Sequence, residues 1–474
     1  MRKRRELHFG APRRLRRPRR HPEYPFEDFN ACLNLPQSRA LDYSGVRRDN
    51  SRMTGQFDII IIGGGLAGGL AAQALAREEF SVALIDAEAP DAMRAAAFDG
   101  RTTALAYAAA RVFRRLGLWD AIADDAEPIR DILVTDGRRA SPSRAGFVSS
   151  FHLHFDSKEL QNGEPLGFIV ENRALRNSIY DAIEREGLVT LYAPARRLRT
   201  EYGKAAALVT LEDGRELSAP LVIAADGRFS PSRQEAGIRV NNWAYPQTGI
   251  VATVAHERPH EGVAQEFFLP SGPFAILPMT SLRVGDQQHI NRSNLVWTEA
   301  KAAAPAYLAL DDAKFLDAIR ARFGDYLGEV SLAGPRWSYP LAFHLAQTFI
   351  APRLALIGDA AHAIHPIAGQ GYNLGVKDIA ALVETLVDAR GLGLDIGALS
   401  MLETYQRWRR FDSAALAFGG DALVKLFSND FAPLRLARDA GMGAVNALAP
   451  LRKILMKQAG ADLGRLPALM APMS

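Results

Sequence analysis

Glycines at 63, 65 and 68, an aspartate at 86 and a Gly-Asp pair at 358–359 are the residues of this 474-residue chain best suited by type and spacing to chemistry. The first set reads Ile59-Ile-Ile-Ile-Gly63-Gly64-Gly65-Leu-Ala-Gly68, an apolar run followed at once by Gly-x-Gly-x-x-Gly. In such a turn Gly63 permits the tight reversal, Gly65 lets backbone approach a pyrophosphate, and Gly68 lets the next helix pack closely on the strand. The helix N-terminus then offers unpaired N–H groups and the positive end of its dipole to the phosphates. Asp86 ends the next apolar run, 18 residues past Gly68. It is placed to accept hydrogen bonds from a ribose. Strand, turn, helix and acid in that order predict a dinucleotide site.

The second set is Gly358-Asp359-Ala-Ala-His362-Ala-Ile-His365-Pro366-Ile-Ala-Gly369-Gln370-Gly371-Tyr372-Asn373-Leu374-Gly375. An apolar strand ends in Gly-Asp, and a Pro/Gly-rich loop leads into a helix expected to start near Asn373. Asp359, just past a strand, can hold the ribityl chain of a flavin. The helix N-terminus can face the ring edge where negative charge collects on reduction. His362 and His365 have no third ligand at sensible spacing, so no metal is expected.

Two further stretches are ambiguous on their own. Ala225-Asp226-Gly227-Arg228-Phe229-Ser230-Pro-Ser-Arg233 suits a phosphate- or ribose-facing turn, but a plain strand–helix turn explains it equally well. Asp99-Gly-Arg101-Thr-Thr-Ala-Leu reads as the start of a helix reaching about Leu116. Arg101 is then either a solvated first-turn arginine or a group that reaches the cofactor. Arg173 heads a helix expected to run to about Glu186.

These turns need a frame. With 48% hydrophobic and 23% charged residues the composition is globular, with room for more than one domain. Ile59 to Ala76 lacks charge over a span's length, yet its clustered glycines fit a buried strand and a packed helix better than a membrane crossing. The single cysteine, Cys32, excludes an intramolecular disulfide and suits a reducing compartment. The pI of about 9.1 is misleading. Residues 1–52 hold 14 Lys and Arg against 6 Asp and Glu, leaving the rest of the chain at a net −4. That front end reads as a dispensable disordered extension, with the working protein starting at Met53, rather than as a nucleic-acid arm.

The expected fold is α/β: a Rossmann-like dinucleotide-binding domain with an inserted antiparallel β-sheet substrate domain and a C-terminal helical region. Expected boundaries are 1–52 for the extension, 53–160 and 161–240 for two parts of the dinucleotide domain, 241–345 for the substrate sheet, 346–395 for the flavin-ring segment and 396–474 for the helices. Within the last, separate helices are expected over Met401–Phe418, Asp421–Phe427 and Pro433–Lys457. Their mixed apolar and basic residues suit a membrane surface or docking on the domain itself.

On the three Gly/Asp turns, the Asp99–Leu105 run, Ser271-Gly-Pro-Phe-Ala-Ile-Leu-Pro278 and Tyr339-Pro-Leu, residues 55 to 460 resemble the class A FAD-dependent aromatic hydroxylases of the para-hydroxybenzoate hydroxylase fold. Among these the chain is most similar to the ubiquinone-biosynthesis hydroxylases. The resemblance implies bound FAD, with Asp86 on the adenosine ribose, Arg101 and Arg173 in the cofactor set and Asp226-Gly227 serving both FAD phosphates and NADPH. It puts Asp359 on the ribityl chain, Gly369, Gln370, Gly371, Tyr372, Asn373 and Leu374 at the pyrimidine end, and Pro366, Gly371 and Asn373 nearest the chemistry. NAD(P)H would dock transiently, since no second Gly-rich strand–turn–helix is present. The implied reaction is hydroxylation of a polyprenylated phenol by NAD(P)H and O2 through a flavin C4a-hydroperoxide, in the cytoplasm, with a peripheral position on the inner membrane left open. A general base is not assigned, Tyr339 and His344 being the two candidates. A flavin-dependent isoprenoid-lipid reductase and a non-catalytic FAD-holding subunit of a quinone-biosynthesis complex stay open, as does dimerisation.

Overall fold

Four consecutive isoleucines, Ile59–Ile62, are buried along their whole length, as the central strand of a parallel sheet must be. In the computed structural model, which describes residues 53–94, 100–137, 148–160, 163–284, 288–428 and 431–473, this strand lies inside a six-stranded sheet. The order is Ile350–Ala351, Leu354–Leu356, Leu221–Ala224, Ile59–Ile62, Val82–Ile85, Val189–Tyr192, parallel except at the first pair. All three Gly/Asp turns leave this sheet at the same edge, from neighbouring strands. The basic extension and Asp99 lie outside the described residues.

The charge-free run from Ile59 divides into that strand and the helix Leu66–Arg77, and no helix among the described residues is long and apolar enough to cross a membrane. Helices Leu66–Arg77, Asn172–Glu186 and Gly371–Gly391 pack side by side over the sheet.

A second sheet of nine strands supplies the other wall. Its long strands are Val240–His256, Gly272–Val284, Gln288–Ala300 and Trp337–Ala346, and it also takes in Asp131–Gly137 and Val148–Asp156. The sheet thus draws on chain from outside 241–345, because Asp131–Gly137 pairs in parallel with Val263–Leu269. One face alternates Ile250, Ala252, Phe274, Ile276, Leu295 and Trp297 into a core shared with helix Asp312–Phe323. The period of two therefore turns Val251, Ala275, Leu277, Val296 and Thr298 the other way, into a cavity.

Two expectations fail locally. Thr102–Ala106 is a strand, antiparallel to Gly167–Glu171, and the helix starts only at Tyr107 and ends at Arg115. The two β-branched threonines prefer that pairing over a helix N-terminus. The helices expected on either side of Gly419-Gly420 are one, Leu399–Phe427. The chain then forms helices Ala432–Ala447 and Ala449–Ala459. Its end is fastened by Arg111 donating to Met470 O at 3.1 Å and Arg115 to Ala471 O at 2.7 Å.

Candidate active site

The three glycines of the first turn have different jobs. Gly63 sits at φ +101°, and a Cβ there would lie 2.4 Å from Ala225 O. A Cβ on Gly68 would fall 1.8 Å from Gly63 O. The protein's own packing demands both glycines. Gly65 has nothing within 4 Å, so its small size leaves space for something that approaches from outside. No side chain caps the helix that follows, and its first N–H groups stay available to an anion. Asp86 accepts from Gly64 N at 2.5 Å and Glu88 N at 2.7 Å, one bond to each oxygen, which leaves lone pairs on both.

The Asp226-Gly227 turn abuts this one at Ala225. Asp226 Oδ2 accepts from Ser232 N at 3.0 Å, whereas buried Oδ1 has no partner among the described residues. Gly227, at φ +81°, again faces open space. Arg233 donates to Ala360 O at 2.9 Å and to His344 Nε2 at 3.1 Å, tying the second turn to the third. Burial and the Arg233 charge push His344 down to about 4, so its ring is neutral and accepts that bond.

The third turn closes the convergence. Gly358 is at φ +56°, and Tyr372 Oη donates to Leu66 O at 3.4 Å. Beneath it Asp378 accepts from Gly358 N at 3.2 Å, His362 Nε2 at 2.6 Å and Arg409 Nε at 2.9 Å. Burial alone would raise the Asp378 pKa, but His362 and Arg409 outweigh it and hold the carboxyl below its usual range. Asp359, by contrast, is exposed. Low-dielectric surroundings raise its pKa, with His362 and Arg228 opposing. His362 Nε2 is thus committed to Asp378. His365 accepts from Ile367 N at 3.2 Å, and no three potential ligands cluster for a metal among the described residues.

The loop between these turns and the helix is pinned by Asn373. Its amide donates to Ala104 O at 2.8 Å and Gly369 O at 3.1 Å, and its carbonyl accepts from Ala106 N at 2.9 Å. That use of both ends of one side chain holds strand Thr102–Ala106 against the loop. The helix begins at Gly371, two residues ahead of the expected start. Gln370 donates to Ala459 O at 2.9 Å, and Leu374 is buried on the far side of the loop.

A cavity of about 520 Å³ lies between this loop and the alternate face of the second sheet. Pro366, Gly369, Gly371, Tyr372 and Arg101 line it. Arg173 does not. It pairs with Glu171 at 3.2 Å, and its neighbour Asn172 faces the cavity. Of the two candidate bases Tyr339 lines the cavity, with its pKa raised by burial, while His344 stays behind it. No motif marked Asn294 or Thr298, which also line it. Only the two-residue alternation of their strand could have found them.

A family model described as FAD binding domain matches residues 56–416. The chain belongs to that family. It is 46% identical over 402 residues to ubiquinone hydroxylase UbiL of Rhodospirillum rubrum, covering 85% of this chain and 89% of that one. It is 34% identical to 3-demethoxyubiquinol 3-hydroxylase of Escherichia coli, covering 85% and 98%. Among solved structures, PqsL of Pseudomonas aeruginosa superposes with a TM-score of 0.68 at 22% identity, over 82% of this chain and 99% of that one, a likeness of fold. This FAD-binding chain is therefore an aromatic hydroxylase of the flavin monooxygenase class. Its residues fit the cofactor: an open cradle at Gly65, Asp226 Oδ1 unpartnered among the described residues, and an exposed Asp359, on turns that leave neighbouring strands of one sheet.

Proposed function

We propose that the chain hydroxylates the aromatic ring of a polyprenylated phenol in ubiquinone biosynthesis, consuming NAD(P)H and O2. The observation that carries this reading is the cavity itself: the Pro366–Tyr372 loop forms one wall and the apolar face of a β-sheet the other. The similarity to hydroxylases named for ubiquinone supports the substrate class.

FAD, reduced by NAD(P)H, would supply the activation of O2 that ring hydroxylation needs. The chain's own residues do the rest. Gly63, Gly65 and Gly68 with the helix N-terminus take the pyrophosphate, and Asp86 takes the adenosine ribose. Arg101, Asp226 and Gly227 serve the phosphate side, with Arg173 further out, and Asp359 holds the ribityl chain. Gly369, Gln370, Gly371, Tyr372 and Leu374 give the pyrimidine end its loop and helix terminus, where backbone N–H groups stabilise negative charge. Asn373 fixes that loop in place, and Pro366 packs beside the ring. Val251, Ala275, Leu277 and Val296 exclude water from the reacting face. Tyr339 and Thr298 are the hydroxyls available to the phenol.

The same reading sets the protein peripherally on the cytoplasmic face of the membrane that carries its substrate. Phe411, Phe431, Leu448 and Ile454 are exposed on or beside the C-terminal helices, near Lys453 and Lys457. The decisive experiment supplies FAD-loaded protein with NADPH, a prenylated phenol and ¹⁸O₂. Label in the product ring is expected. NADPH consumed in substrate-dependent fashion without label would replace the hydroxylase with a reductase.

A further inference from the structure

Behind the Ile364–Leu374 loop lies a second cleft of about 630 Å³. Ile364 and Ile367 belong to the walls of both cavities, so the two are neighbours across a pair of apolar side chains. The remaining walls come from helix Leu399–Phe427 and the segment around Gln458–Gly464. Apart from Gln458, its polar side chains are already committed within the protein. Gln370 donates to Ala459 O, Asn373 to Ala104 O, and Lys377 donates to Leu463 O at 3.1 Å and pairs with Asp412 at 2.7 Å. What remains for an occupant, the Gln458 amide aside, is hydrocarbon, and the rim carries exposed Phe411, Leu423 and Leu463.

The long helix is cut to leave this space. Gly419 and Gly420 stand in its interior, where glycine is less stable than alanine. Neither adopts positive φ. A Cβ on Gly419 would meet nothing within 4 Å, and one on Gly420 would touch Ile367 at an ordinary 3.7 Å. The protein's own packing does not require these glycines. An occupant of the cleft would.

We propose that this cleft binds the isoprenoid tail of the phenol whose ring enters the first cavity, the tail passing Ile364 and Ile367. The proposal rests on the substrate reading above. The first cavity must hold both the flavin ring and the phenol, and its 520 Å³ is already typical of a site for one small ligand. A tail has to leave it, and the cleft is apolar, adjacent and open to the surface at its far end.

The test uses FAD-loaded Gly419→Leu, whose side chain projects into the cleft, with FAD content and melting temperature as folding controls. The kcat/KM for a long-tailed phenol is expected to fall by about tenfold or more, while that for the same phenol without a tail stays within about twofold. Farnesol binding, measured by isothermal titration, should weaken in parallel. Equal falls for both phenols, no fall for either, or unchanged farnesol binding would overturn the proposal. So would oleate binding as tightly as farnesol and being lost with it, since the cleft would then accept any acyl chain. A wild type that turns over no phenol but loses farnesol binding in the variant would sink the substrate reading and leave the cleft an isoprenoid site. Should Gly419→Leu fail to take up FAD, Ala415→Leu, one turn earlier, is read in the same way.

Discussion

Asp378 and His362 are joined by a 2.6 Å hydrogen bond entirely inside the protein, directly under the Gly358–Asp359 turn. The other oxygen of the same carboxylate takes Arg409, itself fully buried. One acidic group on the loop helix therefore positions the Gly358–Asp359 turn and faces a cation from the next helix. Asp378→Asn takes the carboxylate from Arg409 Nε and leaves the buried guanidinium only Asp412, 3.2 Å from Nη1, so the expected loss is about 3 kcal/mol of unfolding free energy at neutral pH, the low end for breaking a buried pair. Because the native carboxyl is held below its usual range, its contribution is present above the unfolded pKa of ~3.9 and lost as pH falls from there through the native value. Urea denaturation across that window should show an acid limb in the wild type that is weaker in the variant.

The glycines of the first turn separate folding from cofactor binding. Gly68→Ala puts a methyl 1.8 Å from Gly63 O and should fail to give a stable protein. Gly65→Ala meets nothing within 4 Å, and Gly65 has an extended conformation that alanine adopts freely. It should melt within about 1 kcal/mol of the wild type yet bind FAD much more weakly, because the lost space is where backbone approaches the pyrophosphate. Flavin fluorescence titration of the folded apoprotein checks this, and unchanged affinity would remove Gly65 from the site.

The parts of this site that could be read from the sequence are those whose chemistry is local. A strand, a glycine turn, a helix and an acid fall within a few tens of residues, so Gly63 to Asp86 and Gly358 to Gly375 carry their geometry in their spacing. The wall opposite depends on pairing over long range. Thr298 lines the cavity because of the register of Gln288–Ala300 against strands at 240–256 and 272–284, which no local pattern states. The strand at Thr102–Ala106 exists because its partner, Gly167–Glu171, lies some sixty residues on. Asn172 lines the cavity and Arg173 does not, since one step along a helix turns a side chain by about 100°. The Gly419-Gly420 pair does not break its helix because tertiary contacts hold it, with Asp421 accepting from Tyr245 at 2.7 Å and Trp243 at 3.2 Å.

Two buried histidines should set the stability of the protein in mild acid. Burial pushes His365 down to about 4, against the pull of Asp421, and His344 reaches about 4 through burial and Arg233. In the unfolded chain both titrate near ~6.5. Between these values the unfolded state binds more protons than the native one, so stability falls as pH drops from ~6.5 to ~4. His365→Gln should reduce that slope by about one proton. Chemical denaturation at a series of pH values measures it, and an unchanged slope would show that His365 does not titrate this way.

Thr298 offers the sharpest separation of stability from function. It is 1% exposed, it lines the cavity, and its hydroxyl has no partner among the described residues. A buried hydroxyl with no partner costs about 1–3 kcal/mol, a cost recovered only when something in the cavity bonds to it. Thr298→Val keeps the shape and removes the hydroxyl, so the protein without substrate should gain about 1 kcal/mol in unfolding free energy. If the phenol is that partner, the same variant should raise KM for it by about tenfold, with FAD affinity unmoved. Gain and loss from one atom would mark a group kept for substrate recognition at the expense of the fold. A stability gain with unchanged KM would assign the phenol to Tyr339 or to another wall of the cavity.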